Sequence, residues 1–175
     1  MKDIVYFDLE TQRSADDVGG WNRKQDMGIS VAVTFSTKTG KYEIYSEERV
    51  QELIDQLIAA DLVVGYNHIN FDYAVLEGHT ILDLESQTSN LDLLVDIEKK
   101  LEKRLKLETV ASASLGLGKS ADGLQALKWW AEYRRTQDPS WIMKIAEYCA
   151  FDVKVTKQVH EYGMREGKIL YEDRS

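Results

Sequence analysis

The 175-residue chain contains one cysteine, Cys149, and one proline, Pro139. A lone cysteine excludes an internal disulfide, and its expected place is that of a small buried apolar side chain with no chemistry of its own. No apolar run approaches the ~20 residues that a membrane-spanning helix needs, and the opening MKDIVYFDLE carries acids where a secretory signal would be apolar. The expected location is therefore the cytoplasm. Positive charge is also scarce: 22 Lys and Arg stand against 30 Asp and Glu, a formal net charge of −8. A protein that grips nucleic acid by bulk electrostatics needs Lys and Arg facing phosphates, so that class is disfavoured. A metal-dependent enzyme remains open, because two bound divalent cations would return about half of the deficit. There is no internal repeat and no low-complexity segment. With 43% hydrophobic and 30% charged residues, the composition is that of an ordinary globular protein, and the length suits one domain over residues 1–175.

Periodicity places the elements. Residues 3–9, DIVYFDL, read as a strand; 29–36, ISVAVTFS, and 41–45, KYEIY, read as a hairpin joined by TKTG. Ser46 with the acids after it marks a helix start, and VQELIDQLIAA keeps apolar residues at helical spacing to about Ala60. DLVVGYN is a short apolar run expected as a buried strand, NFDYAVLEG a helix from near Asn70 to Gly78, and Leu91 to Leu93 a fifth strand. Helical segments follow, then a loop at GLGKSADG, then two helices over LQALKWWAEYRRT and SWIMKIAEYCAFDVKVTKQVHEYG, with Pro139 suited to a first helical turn. Residues 11–28 form the longest polar, Gly-containing stretch and are expected as a loop of the length that often carries function.

Three short pieces carry candidate chemistry. Asp8 and Glu10 are two apart on a strand and so share a face. Paired carboxylates raise each other's pKa unless a cation sits between them, although acids at a strand end are often merely solvated. Asp72 opens a helix after a buried strand, where an acid can also serve as a simple cap. Asn67 and Asn70 flank that turn, where they can contact a ligand or act only locally. Tyr148 and Asp152 are four apart, one turn on one helix face, so a phenol and a carboxylate can meet at one point. An amphipathic helix with Tyr at the core edge has the same spacing.

Taken in order, FDLET, GYNHINFD and YCAFD resemble the three exonuclease motifs of the DEDD superfamily of ribonuclease H-like 3′–5′ exonucleases. Tyr148 matches the Tyr-containing branch; the histidine branch would have His at position 147, where this chain has Glu147. The GYNxxNFD spacing is similar to proofreading domains of B-family DNA polymerases. The stretch KSADGLQALKWW with EYCAFDVKVT resembles small prokaryotic ribonuclease H-like exonuclease domains, some of which accompany helicases. The resemblance covers all but the C-terminal end of the chain. It implies an α/β fold with a mixed sheet of about five strands and helices on both faces. The implied activity is metal-dependent 3′–5′ exonucleolysis of a single-stranded 3′ end, releasing nucleoside 5′-monophosphates. Partners implied are nucleic acid and a helicase, with no membrane.

Carried over position by position, the resemblance makes Asp8, Glu10, Asp72 and Asp152 the ligands of two ions ~3.5–4 Å apart. Asp8 would bridge both, Glu10 and Asp152 would hold the ion with the attacking water, and Asp72 would support the second through water. Oxygen ligands without His or Cys favour Mg²⁺ or Mn²⁺ over zinc. Tyr148 would orient the water, since a phenol with a reference pKa of ~10 is a poor base at neutral pH. Thr11, Asn67, Asn70 and Trp21 are the candidate substrate contacts, Trp21 as an aromatic that can stack on a terminal base. The alternatives are a structure-selective endonuclease on the same fold and a non-enzymatic nucleic-acid-binding or docking module for a helicase or polymerase. Presence of all five expected side chains tells against the second.

Other features carry less. In GLGKS the first glycine of a phosphate-binding loop would fall on Ala113 and no strand leads in, so a P-loop is rejected. KKLEKRLK, Lys99 to Lys106, reads as the solvated face of an amphipathic helix. Trp129 and Trp130 point in different directions from one helix, so one is expected in the core. His68, His79 and His160 have no ligand spacing and are expected to be structural.

Overall fold

The computed structural model describes residues 2–117 and 123–172. β1 (Ile4–Thr11), β2 (Ile29–Ser36) and β3 (Lys41–Tyr45) form an antiparallel meander, and β4 (Leu62–Gly65) and β5 (Asn90–Asp92) extend the sheet in parallel from the other edge of β1, in the order β3-β2-β1-β4-β5. The helices are α1 (Ala15–Val18), α2 (Val50–Ala59), α3 (Asp72–Leu76), α4 (Leu84–Gln87), α5 (Leu93–Leu101), α6 (Leu107–Leu115), α7 (Gly123–Thr136) and α8 (Ser140–Glu166). The expected α/β architecture with a five-stranded mixed sheet is therefore what the described residues adopt. None of their helices is long and apolar enough to cross a membrane.

The alternation of β1 builds two cores. Val5, Phe7 and Leu9 face one way, against Leu53, Ile54, Leu57, Val75 and Leu76. Tyr6 faces the other way with Val31, Val33 and Val64, against Val110, Ala126, Ile145 and Val153. Each fully buried aliphatic or aromatic side chain contributes about 1.5–3 kcal/mol. The period of two then puts Asp8 and Glu10 on the α8 side, beyond Tyr6.

Several local expectations need correction. Residues 11–28 are not an open loop. β1 runs to Thr11, and a capping box between Ser14 and Asp17 opens α1, which Gly19 ends at φ 89°. A 3₁₀ segment, Trp21–Asp26, follows. The fifth strand sits one residue early, because the Asp92 carboxylate accepts the N–H groups of Leu94 and Val95 and so starts α5 at Leu93. The regular part of the Asn70–Gly78 helix is shorter, Asp72–Leu76. KKLEKRLK does not lie on one helix: α5 ends at Leu101, Glu102 turns the chain at φ 55°, and Leu105 packs against the core before α6 begins. Trp129 and Trp130 are both half-buried, Trp130 lying against Tyr133, so neither is a core residue proper. Gly116 caps α6, while Gly118, Lys119 and Ser120 of GLGKS lie outside the described residues.

Candidate active site

β1 reaches further than its neighbour β4: the parallel pairing covers only Ile4 to Tyr6 against Leu62 to Val64. Beyond it the β1 edge has no strand to receive its N–H groups. Asp72, at the start of α3 and 3% exposed, fills this place, its Oδ1 accepting the Leu9 N–H at 3.1 Å. On the other edge the register slips between Glu10 and Thr11, and Ser30, left over on β2, donates its hydroxyl to the Glu10 carbonyl at 3.1 Å. A bulge at this point re-aims the end of β1, as bulges beside functional sites commonly do. The end of β1 is also where the chain changes sides, with β2 and β3 on one flank and β4 and β5 on the other, the position at which open α/β sheets form a crevice.

The crevice is a cavity of about 530 Å³ lined by Asp8, Glu10, Asp72 and Asp152, with Thr11, Asn67 and Trp21 at its sides. Four carboxylates supplied by β1, α3 and α8 thus converge on one space. Burial is the main cause that pushes all four up in pKa. Asp72 rises to about 8, with the Leu9 N–H opposing the rise, and Asp152 rises to about 6, with Glu108 adding to burial. Asp8 is held well above the carboxylate range by burial and then by Asp72, Glu10 and Asp152, and Glu10 by burial and then by Asp152 and Asp72. These groups do not carry their charge comfortably without cations among them.

α8 enters the site through three residues. Tyr148 is half-buried, packed edge-to-face on Trp129 with ring centroids 6.3 Å apart. Burial, then Asp152, Glu10 and Asp8, drive its phenol well above the ordinary range, so it keeps its proton and has an O–H to donate. It does not line the cavity but lies within electrostatic reach of three of its acids. Cys149, fully buried, places Sγ 3.4 Å from the Asp8 carbonyl and 3.5 Å from Asp8 Oδ2, and the sulfur and one oxygen each of Asp8 and Glu10 all lie within 4.8 Å of one another. Burial and Asp8 push the thiol up, so it is an S–H donor to Asp8. Its burial matches the expectation; its contact with the acid does not follow from sequence, because it depends on α8 crossing the face of β1. Asp152 follows one turn after Tyr148.

The expected substrate contacts divide. Thr11, Asn67 and Trp21 line the cavity; Asn70 is exposed and does not. Phe71 lines it instead, 6.4 Å from the two-thirds-exposed Trp21. Gly123, Leu124 and Leu127 of α7 close the opposite wall, a contribution with no signature short of the packing of α7 on β1. The histidines stay outside the acid cluster: His68 is buried with Nε2 3.0 Å from Asn90 Oδ1, His160 Nδ1 meets the Tyr6 hydroxyl at 2.9 Å, and His79 lies 3.4 Å from Glu47.

Comparison with known proteins bears on the fold and the family. The family description RNase_H_2, of the RNase_H superfamily, matches residues 5–163. No curated protein matches the sequence. Among solved structures, the family B DNA polymerase from the hyperthermophilic archaeon Pyrobaculum calidifontis is similar over 94% of this chain, with a TM-score of 0.68 and 18% identity. This chain spans 25% of that polymerase. At that identity the likeness is one of fold. The match over residues 5–163 takes in all three acid-bearing elements, and by it the chain belongs to the ribonuclease H superfamily.

Proposed function

We propose that this ribonuclease H superfamily nuclease is a 3′–5′ exonuclease of the DEDD type, acting on single-stranded 3′ ends and releasing nucleoside 5′-monophosphates. The observation that carries the proposal is the convergence of Asp8, Glu10, Asp72 and Asp152 on one cavity, each with its pKa raised. The donor set fits two hard divalent cations, Mg²⁺ or Mn²⁺: the four facing groups are carboxylates, and the Cys149 thiol beside them is a protonated donor to Asp8. When bound, such ions supply charge stabilisation and nucleophile activation for phosphodiester hydrolysis.

The side chains of this chain do the rest. Asp8, Glu10, Asp72 and Asp152 hold the ions. Tyr148 keeps its proton at the phenol oxygen and orients the attacking water by donating to it. Trp21 and Phe71 form an aromatic wall on which a terminal base stacks, an interaction worth about 1–3 kcal/mol per base, and Asn67 offers an amide to the strand. A net charge of −8 supplies no general attraction for a phosphate backbone, so the footprint is short and local, which suits a chain end threaded into the cavity. A helicase that exposes single-stranded 3′ ends is a fitting partner.

The test compares three substrates with enzyme and Mn²⁺: a linear single strand, the same strand blocked at its 3′ end, and a covalently closed circle, each as DNA and as RNA. Stepwise shortening of the first, protection of the second and no cutting of the third are expected. Rapid nicking of the circle would establish an endonuclease instead, and inertness of all three a binding module.

A further inference from the structure

The loop between β4 and α3 is held in an unusual conformation by residues away from the acid cluster. Asn67 has φ 68°, in the left-handed region, which Asn adopts more readily than other non-glycine residues. Asp92, buried behind the loop, accepts the Asn67 N–H at 2.8 Å and the Ile69 N–H at 3.0 Å. A second grip comes from the irregular link between α5 and α6. Tyr66 donates its hydroxyl to the Leu105 carbonyl at 2.8 Å, and Arg104 Nη2 donates to Asn67 Oδ1 at 3.2 Å. The other arm of the guanidinium is anchored on Glu98 at 3.1 Å. Asn67 lines the acidic cavity; Arg104 does not.

A carboxamide has an acceptor oxygen at one end and two donor hydrogens at the other. With Oδ1 engaged by the guanidinium, the group Asn67 has left to offer is Nδ2–H₂. Arg104 cannot serve as an acceptor, so it also enforces the orientation: flipping the amide would set N–H against N–H. Beside a floor of carboxylates, a neutral donor suits an acceptor oxygen of an entering nucleic-acid strand, whereas the flipped amide would present oxygen to oxygen.

We infer that Arg104 is a positioning residue for nucleic acid, acting through Asn67 by fixing the polarity of its carboxamide. The inference rests on the exonuclease assignment of the cavity. Arg104 is more than half exposed, so Arg104→Met, which keeps the stem and removes the fork, leaves the fold and its thermal unfolding in place.

The experiment is a double-mutant cycle on affinity. Binding of a short 5′-labelled single-stranded oligonucleotide is followed by fluorescence anisotropy with Ca²⁺ replacing the activating ion, for wild type, Arg104→Met, Asn67→Ala and the double variant. Asn67→Ala is expected to weaken binding ~10-fold, Arg104→Met ~5-fold, and the double variant no more than Asn67→Ala alone. The slope of log Kd against log salt should be the same for wild type and Arg104→Met. A double variant whose loss is the product of the two single losses, or a salt slope reduced by about 1 in Arg104→Met, would show Arg104 touching phosphate itself and overturn the inference. Unchanged affinity of Arg104→Met would overturn it as well. Failure of the wild type to bind any single strand is distinguishable from these results, for it removes the cavity's assignment and the inference with it.

Discussion

Replacing Asp72 by Asn should stabilise the metal-free protein, and the gain should grow with pH. Asp72 is 3% exposed and its carboxyl is raised from 3.8 to about 8, chiefly by burial. A group whose folded pKa exceeds its unfolded value stabilises most when protonated in both states, and loses that contribution as pH rises through the folded value. Between pH 5 and pH 9, at about 1.36 kcal/mol per pKa unit, this amounts to about 4 kcal/mol lost by the wild type. Entry of water into the open cleft lowers the loss to about 2 kcal/mol, since buried sites respond as if their dielectric were well above that of dry protein. Asn keeps Oδ1 as the acceptor for Leu9 N–H and carries no charge, so the variant escapes the loss. For a chain of 175 residues, about 2 kcal/mol corresponds to a Tm difference of roughly 4–8 °C. Thermal unfolding by circular dichroism with chelator present, at pH 5, 7 and 9, measures it: the gap between variant and wild type should widen steadily. Excess Mn²⁺ should then reverse the order at pH 7, because the wild type gains about 2.7 kcal/mol at a hundredfold excess over Kd while the variant has lost a ligand. A variant less stable than wild type at pH 9 without metal, or a gap indifferent to pH, would refute the account of Asp72 as an electrostatically burdened ligand.

Tyr148→Phe should slow turnover by ~10²–10⁴ while leaving Mn²⁺ affinity by calorimetry nearly unchanged; a loss of metal binding as severe as that of Asp152→Ala would make the phenol a structural support. Asp92→Ala should cost about 3 kcal/mol in urea unfolding, since it strands the N–H groups of Asn67, Ile69, Leu94 and Val95 at once; a loss under about 0.5 kcal/mol would mean water replaces the carboxylate freely. Gly78→Ala should destabilise by about 1–3 kcal/mol, because its Cβ would overlap the Gln25 carbonyl oxygen on the 3₁₀ segment that carries Trp21. Single-strand affinity should weaken with it, and a neutral outcome on both counts would show that this segment shifts without cost.

Local physics writes some of this protein legibly along the chain. Alternation in VYFDLE puts Asp8 and Glu10 on one face, and the apolar runs at 29–36 and 62–65 read as strands because half-buried and buried strands impose period two or a continuous hydrophobic string. The four-residue step from Tyr148 to Asp152 survives intact because α8 is a single long helix. Where boundaries slipped, a side chain was acting on backbone: Asp92 starts α5 by capping it, and the Ser14–Asp17 box starts α1 inside what composition alone marks as loop. The leucines of KKLEKRLK mislead because periodicity does not register the turn at Glu102, which lets Leu101 reach the core from the end of α5 and Leu105 from the link that follows.

Convergence is a different matter, since it depends on distances between elements far apart in the chain. That Asp72 meets the Leu9 N–H follows from β4 stopping short of the end of β1, a consequence of strand lengths and parallel register. The Cys149 contact with Asp8, the displacement of Asn70 by Phe71 at the cavity wall and the grip of Arg104 on Asn67 likewise come from packing across the sheet. Residue types and their spacing along strand and helix settle which side chains can act together on one face. Which of them share a cavity and how far their charges are desolvated are settled by the layering of α3, α7 and α8 on the end of β1, and which amide is held in which orientation by the link between α5 and α6, because desolvation and hydrogen-bond geometry are properties of the assembled interior and not of any segment of the chain.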